Sequence, residues 1–388
     1  MSEEAPWSIS PAGLAGAPMS PIIARIEKEL RDIWEAPGAA PKTRVCTMNL
    51  VVIAGSRAMA ERYLPILDEV TSSIPARAIL VALEPDLPGG TLDGEATAVC
   101  TIGGESGGQL CSERVRLTAT GSTCARVASA VEALCVHEIP TTLVWLGRVH
   151  VDDPVFLALA GEAQRVVLDT EYTSLASLMK LAAWARAEPG RPAVADLAWT
   201  RLAVWQELCA RFFDDPNMRD LAHGIARLTL LQASDPGARL GSEGALLLGW
   251  LATRLGWKLQ RLGGAMRFRR PDGGQVALSL TALARPHEVA PAALAGLTID
   301  AEAGSVKAKG SIHRDLASGL AGQSGDADVV VWKLDVPFPT ATEQRVRLRD
   351  NKGAKLLVRT LHRPVSDPTL SDAVAFAEQI FEDGLVCT

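Results

Sequence analysis

The sequence predicts an α/β protein: an N-terminal doubly wound, mainly parallel sheet, followed by an α+β domain built on an antiparallel sheet. Continuous apolar runs rich in β-branched residues, such as 45–54 (VCTMNLVVIA) and 141–146 (TTLVWL), alternate with helical segments in the first half. Such runs mark strands buried on both faces. Beyond Pro216 the character changes to short alternating strands, with a Pro-Asp-Gly-Gly turn signal at 271–274. The stretch 196–214 (DLAWTRLAVWQELCARFFD) stands between the halves as the clearest amphipathic helix in the chain.

In chain order, 21–35 reads as a short helix with Ile22, Ile26, Leu30 and Ile33 on one docking face. Strands follow at 45–54 and 76–83, separated by a helix at 59–73 in which Pro65 marks a kink. Segments 96–101 and 111–119 read as a hairpin, an antiparallel excursion from the parallel sheet. A helix at 125–137, a strand at 141–146, a helix at 154–163 and a strand at 165–169 complete the alternation. Helices at 174–186 and 196–214 come next, on either side of a break at Pro189–Pro192. The second half reads as a strand at 226–232 and a long helix at 242–262. Strands are then expected at 265–269, 276–283, 296–301, 305–313, 328–334, 345–349 and 355–360, before a closing helix at 371–381. The expected partition is an N-terminal extension at 1–40, an α/β domain at 41–172 and an α+β domain at 173–388.

Composition narrows the function classes. The formal charge is −6 with no long basic run, which argues against nucleic acid or an anionic membrane surface as the main partner. The first residues (MSEEAPWSIS) are acidic and polar, unlike a signal peptide, and no apolar run approaches a membrane span. A cytoplasmic protein is expected. Seven cysteines occur without a C-x-x-C pair or zinc spacing, so free thiols and no metal site are expected. Cys100 and Cys111 flank a glycine-rich loop, and a hairpin there brings them close enough to approach each other.

A doubly wound sheet raises the question of a nucleotide. The first strand ends in Ala54-Gly55-Ser56-Arg57, with neither G-x-G-x-x-G nor a P-loop. The cluster 103–108 (GGESGG) lies between antiparallel strands with no helix after it, which makes it a loop rather than a phosphate cradle. The six histidines are scattered, and His137 sits where a helix C-terminus favours an imidazolium. No nucleophile elbow, H-E-x-x-H or kinase set is present. No catalytic residue and no cofactor are therefore expected. Residues alone rank a non-catalytic binding protein ahead of an enzyme.

In the helix at 196–214, Ala198, Leu202, Trp205, Cys209 and Phe212 fall on one apolar face, with Asp196 as a candidate N-cap and Thr200, Glu207 and Arg211 opposite. Trp199 falls just off the edge of that face, and Arg201 falls within it. Two readings stay open: a core helix with one satisfied arginine, or a docking face, since Trp and Arg dominate interface hot spots. The string D-L-A-W-T-R-L-x-x-W-x-E-L with its Phe-Phe-Asp exit resembles the signature of the glucose-6-phosphate dehydrogenase assembly protein family, OpcA. Segments 44–52 (RVCTMNLVV), 111–117 (CSERVRL) and 137–145 (HEIPTTLVW) fall in the order and rough spacing of that family.

The resemblance implies an assembly or activation factor that binds glucose-6-phosphate dehydrogenase and raises its activity, while the partner carries NADP and the hydride chemistry. It draws attention to Glu113 and Arg114, which an alternating strand points to opposite faces, as partner-binding candidates beside Trp199 and Arg201. It also makes redox control through Cys100 and Cys111 conceivable. The alternative is an enzyme or binding protein for small phosphorylated sugars at the carboxyl edge of the parallel sheet.

Overall fold

The computed structural model describes residues 20–35, 42–103, 108–262, 265–285, 289–316, 326–336, 342–348 and 352–381. The middle of the 103–108 loop, Cys387 and the segments flanking the first helix lie outside the described residues. In chain order the elements are α1 (Ser20–Glu35), β1 (Lys42–Arg44), β2 (Asn49–Ala54), α2 (Arg57–Ser73), β3 (Arg77–Glu84), β4 (Leu92–Gly103), β5 (Gly108–Thr120), α3 (Val127–Leu134), β6 (Thr141–Leu146), α4 (Pro154–Gly161), β7 (Arg165–Leu168), α5 (Leu175–Ala187), β8 (Ala193–Asp196), α6 (Leu197–Ala210) and α7 (Arg219–His223). Then come β9 (Ile225–Ala233), α8 (Ser242–Arg254), β10 (Lys258–Leu262), β11 (Ala265–Arg269), β12 (Gln275–Leu283), β13 (Leu294–Ala303), β14 (Val306–Asp315), β15 (Asp326–Asp335), β16 (Thr342–Arg347), α9 (Gly353–His362) and α10 (Pro368–Phe381). None of the helices among the described residues is long and apolar enough to cross a membrane.

The chain forms two compact units, and the division is interleaved rather than a single cut near Tyr172. The first unit runs to Asp169 and takes in Lys180–Asp196 and Lys352–Ser366; the second holds Thr170–Met179, Leu197–Asn351 and the chain from Asp367.

In the first unit the eight-stranded sheet runs β1-β5-β3-β2-β6-β7-β8, with β4 paired to β5. From β5 to β8 every neighbouring pair is parallel. The order β5-β3-β2-β6-β7-β8 is the 3-2-1-4-5-6 order of a doubly wound dinucleotide fold. Strand β2 is wholly buried and β6 is buried at its four central residues, which explains their unbroken apolar sequences. The β4–β5 hairpin is antiparallel along its whole length, and α1 covers its outer edge. Ile26 and Leu30 bury the apolar side of α1, Arg25 Nη2 donates to the Gly94 carbonyl at 2.7 Å, and the Ala96 N–H donates to Glu29 at 3.0 Å. An exposed strand edge is thereby shielded from adventitious pairing. Only glycine fits at position 94, because a Cβ there would lie 2.6 Å from the Arg116 carbonyl oxygen and 3.0 Å from Ile26 Cδ1.

In the second unit the sheet order is β10-β11-β12-β9-β13-β14-β15-β16. Every pair is antiparallel except β12 with β9, which is parallel. Trp332 Nε1 donates to the Leu208 carbonyl of α6 at 2.9 Å and stacks on Phe212, while Phe268 meets Trp257 and Phe376. These contacts fix α6 and α10 on one face of the sheet.

Three sequence expectations are corrected. The helix expected over 242–262 stops at Arg254, because Gly256 takes a left-handed φ of +67°, and the remainder is strand β10. Residues 355–360 are not a strand but lie within α9, whose buried Ala354, Leu356, Leu357 and Thr360 follow helical spacing. Arg165, at the start of β7, donates Nη1 to the Thr360 carbonyl and Nη2 to the Arg363 carbonyl, both at 2.8 Å, and so closes the end of α9. Burial pulls the Arg165 guanidinium down from its ordinary pKa. The short strand β8, read from the sequence as a break, completes the parallel sheet and ends at Asp196.

Candidate functional site

The carboxyl edge of the first sheet is where a doubly wound fold holds a dinucleotide. Here Gly55-Ser56-Arg57-Ala58-Met59-Ala60 links β2 to α2, with Arg57 in the place where the fingerprint needs its second glycine. Ser56 caps α2 by accepting from the Met59 N–H at 3.2 Å. The Arg57 N–H donates to Glu84 Oε1 at 2.6 Å. A carboxylate from the end of β3 therefore already occupies the first free N–H of the helix, where a pyrophosphate would have to sit. The residues present do not fit a dinucleotide, and no hydride step is derived through one. A cavity of about 340 Å³ in this unit lies at the opposite, amino edge, lined among others by Cys135, His137, Thr141 and Gln164. Burial pushes the Cys135 thiol up to about 11, which makes it a poor nucleophile.

The conspicuous polar residues of the sequence are buried clamps. Glu113 on β5 is 1% exposed; it receives hydrogen bonds from Trp34 Nε1 of α1 at 2.8 Å and Arg77 Nε at 2.7 Å. Arg77 also donates Nη1 to the Leu134 carbonyl at the end of α3. On the other face of β5, Arg114 pairs with Asp68 of α2 and donates Nε to Thr97 at 3.1 Å. Asn49, 1% exposed at the head of β2, donates to the Val136 carbonyl and to Thr141 Oγ1 and accepts from the Val136 N–H. It pins the loop from α3 into β6. Segments 44–52 and 137–145 thus meet through Asn49 and Thr141, and Cys46 Sγ of the first donates to Glu113 Oε2 of 111–117 at 3.9 Å.

The same holds for α6 in the second unit. Its first turns are buried on every side, including Thr200, which the sequence placed opposite the apolar face. Trp199 is 2% exposed and donates Nε1 to Asp367 Oδ2 at 2.8 Å. Asp367 Oδ1 accepts from the Leu370 N–H, so the tryptophan steadies the N-terminus of α10. Arg201 pairs with Glu171 at 2.7 Å, both side chains mostly buried. Trp205 is 1% exposed, with the Arg314 guanidinium over its ring. Burial raises the Cys209 thiol far above its ordinary range. Trp199, Arg201 and Glu113 therefore present almost no surface to a partner. The sequence contained no signal for their partners Asp367, Glu171 and Arg77, which lie far away along the chain.

Against the expectation of free thiols, Cys100 and Cys111 stand directly opposite each other in the β4–β5 hairpin, with Cα atoms 4.0 Å apart, and form a disulfide, while Cys46, Cys124, Cys135 and Cys209 keep their thiols. Cys100 is exposed and Cys111 is 1% exposed. Digestion under non-reducing conditions is expected to yield a Cys100–Cys111 cross-linked peptide that vanishes with a thiol reductant. Mass spectrometry checks this, and free thiols at both positions in air-oxidised protein would show that the bridge does not form.

Residues 67–185 match the family model for the glucose-6-phosphate dehydrogenase subunit N-terminal domain, and residues 192–374 match the one for its C-terminal domain, OpcA in both cases. The chain belongs to the OpcA family. Among curated relatives, a protein of Nostoc punctiforme named provisionally as OxPP cycle protein OpcA is 32% identical over 200 residues, 49% of this chain and 40% of that protein. Its counterpart in Synechocystis is 27% identical over 193 residues, 49% of this chain and 39% of that protein. The matched region thus spans well under half of each relative's length. Solved structures similar to the chain include an oxidoreductase from Sinorhizobium meliloti, 12% identical over 88% of this chain and 92% of that one, with a TM-score of 0.42. Another is a biliverdin reductase of Synechocystis with biliverdin and NADP+, 9% identical over 87% and 98% of the two chains, at 0.45. At such scores the likeness carries no argument about chemistry.

Proposed function

We propose that this OpcA-family chain is a non-catalytic subunit that binds glucose-6-phosphate dehydrogenase in the cytoplasm and promotes its active form. Family membership names the partner class. The observation that carries the non-catalytic part is the closed carboxyl edge, where Arg57 replaces a required glycine and Glu84 occupies the first N–H of α2. The partner supplies NADP and the hydride chemistry; this chain supplies a surface. The Cys100–Cys111 bridge stiffens the hairpin in the unit that also carries α1, which gives cellular thiol state a route to partner binding.

The purified chain, shown free of the dehydrogenase, is expected to give no NADPH from glucose 6-phosphate and NADP. Added to the dehydrogenase of the same organism, it is expected to raise the rate or lower the substrate concentration needed for half-maximal rate. Turnover by the chain alone would overturn the reading. So would a clear rise in its melting temperature with NADP, since a ligand that binds only the native state must stabilise it.

A further inference from the structure

Among the described residues, the helices of the second unit leave one face of its sheet alone. Alternation along the strands sends Leu228, Leu230, Leu297, Ile299, Ile312 and Val330 towards the helices, all nearly inaccessible. The residues between them point the other way, and the cross-strand register sets them in rows. One row runs Ser279, Thr229, Thr298, Ser311, Lys333, Glu343 across five neighbouring strand pairs. The centre of this face is therefore small and uncharged; in the adjoining row Leu231, beside Gly296, is partly covered by Val289 and Ala293.

Charge collects around that centre, and its sign is opposite to that of the whole chain. Arg267 and Arg269 on β11, Arg227 on β9, Lys309 on β14, and Arg345 and Arg347 on β16 are all exposed and all share this face. Acidic residues on this face are fewer: Asp300 lies 3.9 Å from Arg227, Glu302 lies 3.7 Å from Lys307, Asp315 pairs with Arg345, and Asp335 and Glu343 stand across from Lys309 and Lys333. A chain of net charge −6 thus carries a basic sheet face. An uncharged centre inside a charged margin is the anatomy of a protein interface rather than of a small-molecule pocket.

We propose that this face is the docking surface for an acidic patch on a protein partner, which on the function proposed above is the dehydrogenase. Electrostatic complementarity selects that occupant. A second copy meeting it face to face would set basic margins against each other. The aromatic residues of the described strands, Phe268 and Trp332, both lie on the helix side, so the face lacks the stacking platforms with which sheets hold single-stranded nucleic acid.

The test uses the full chain and the dehydrogenase of the same organism. Affinity is measured by calorimetry or interferometry for wild type, for the charge reversal R227E/R267E/K333E, and for R62E on the exposed side of α2 as a control. Wild type is expected to bind more weakly as salt rises from about 50 to about 300 mM, a range over which exposed charges become strongly screened. The triple variant is expected to lose about tenfold or more in affinity, mostly in association rate, and to lose most of that salt dependence. R62E is expected to bind like wild type. All three are surface changes, and matching thermal melts establish that the fold is kept. If wild type binds but the triple variant binds equally well, this surface is wrong while the proposed function stands. If wild type does not bind the dehydrogenase at all, the proposed function falls and this inference with it. A wild-type dimer that becomes monomeric in the triple variant, or an oligonucleotide affinity lost in it, would assign the face to a second copy or to nucleic acid and overturn the proposal.

Discussion

Replacing Trp199 with alanine is expected to cost about 3–5 kcal/mol of stability, the range for truncating a fully buried tryptophan. The indole is 2% exposed, and its N–H holds the Asp367 carboxylate that in turn meets the first turn of α10. The alanine variant both opens a cavity and removes that donor. Trp199→Phe keeps most of the volume and loses the hydrogen bond, so a smaller loss of about 1–3 kcal/mol is expected. Trp205→Ala, at 1% exposure in the same helix, should resemble Trp199→Ala. Denaturant unfolding followed by circular dichroism measures all three. A Trp199→Ala variant that unfolds like wild type yet fails to bind the dehydrogenase would restore the docking role that the sequence left open.

Breaking the Arg77–Glu113 pair is the second large effect expected. Glu113 is 1% exposed and the Arg77 side chain 12%, so Arg77→Ala removes the guanidinium that neutralises a buried carboxylate also held by Trp34 Nε1. Removing one member of such a pair costs about 3–5 kcal/mol, whereas replacing both by apolar residues of similar volume can be close to neutral. Arg77→Met with Glu113→Leu should therefore be clearly more stable than Arg77→Ala alone. Because Trp34 binds the same carboxylate, Glu113→Ala should also loosen α1, seen as faster proteolytic cleavage within residues 20–35. Equal protease resistance in wild type and Glu113→Ala would mean that Ile26, Leu30 and the Arg25 and Glu29 contacts to β4 hold that helix without Trp34.

What the sequence discloses depends on how local the cause is. Strands β2 and β6 were legible because burial on both faces writes a continuous apolar run. The β4–β5 hairpin and its facing cysteines followed from alternation around a glycine loop. The end of α8 was also encoded locally, in Gly256, but the leucines after it imitated a longer helical face. In α9 the run Leu356-Leu357-Val358 suggested a strand, although its buried positions keep helical spacing. The clamps were of another kind. Arg201 was recognisable as a charge within an apolar arc and Glu113 only through the family resemblance, but their partners Glu171 and Arg77 come from other elements, and only the folded topology brings them together. The basic sheet face was likewise invisible, because β9, β11, β14, β15 and β16 each contribute one or two cations to it and no long basic run forms in the sequence.

The interleaving of the two units bears on how the chain emerges from the ribosome. The first unit cannot close until Lys352–Ser366 has been synthesised, because α9 belongs to it and Arg165 waits for the carbonyls of Thr360 and Arg363. Almost the whole second unit is translated before that happens. Neither unit can therefore mature vectorially ahead of the other, and a chain cut once between them would strand β8 or α9 on the wrong fragment. An N-terminal domain that folds while the rest is still being made would here do so without α9. The first unit then stays open at the seat of α9 through the synthesis of nearly all of the second.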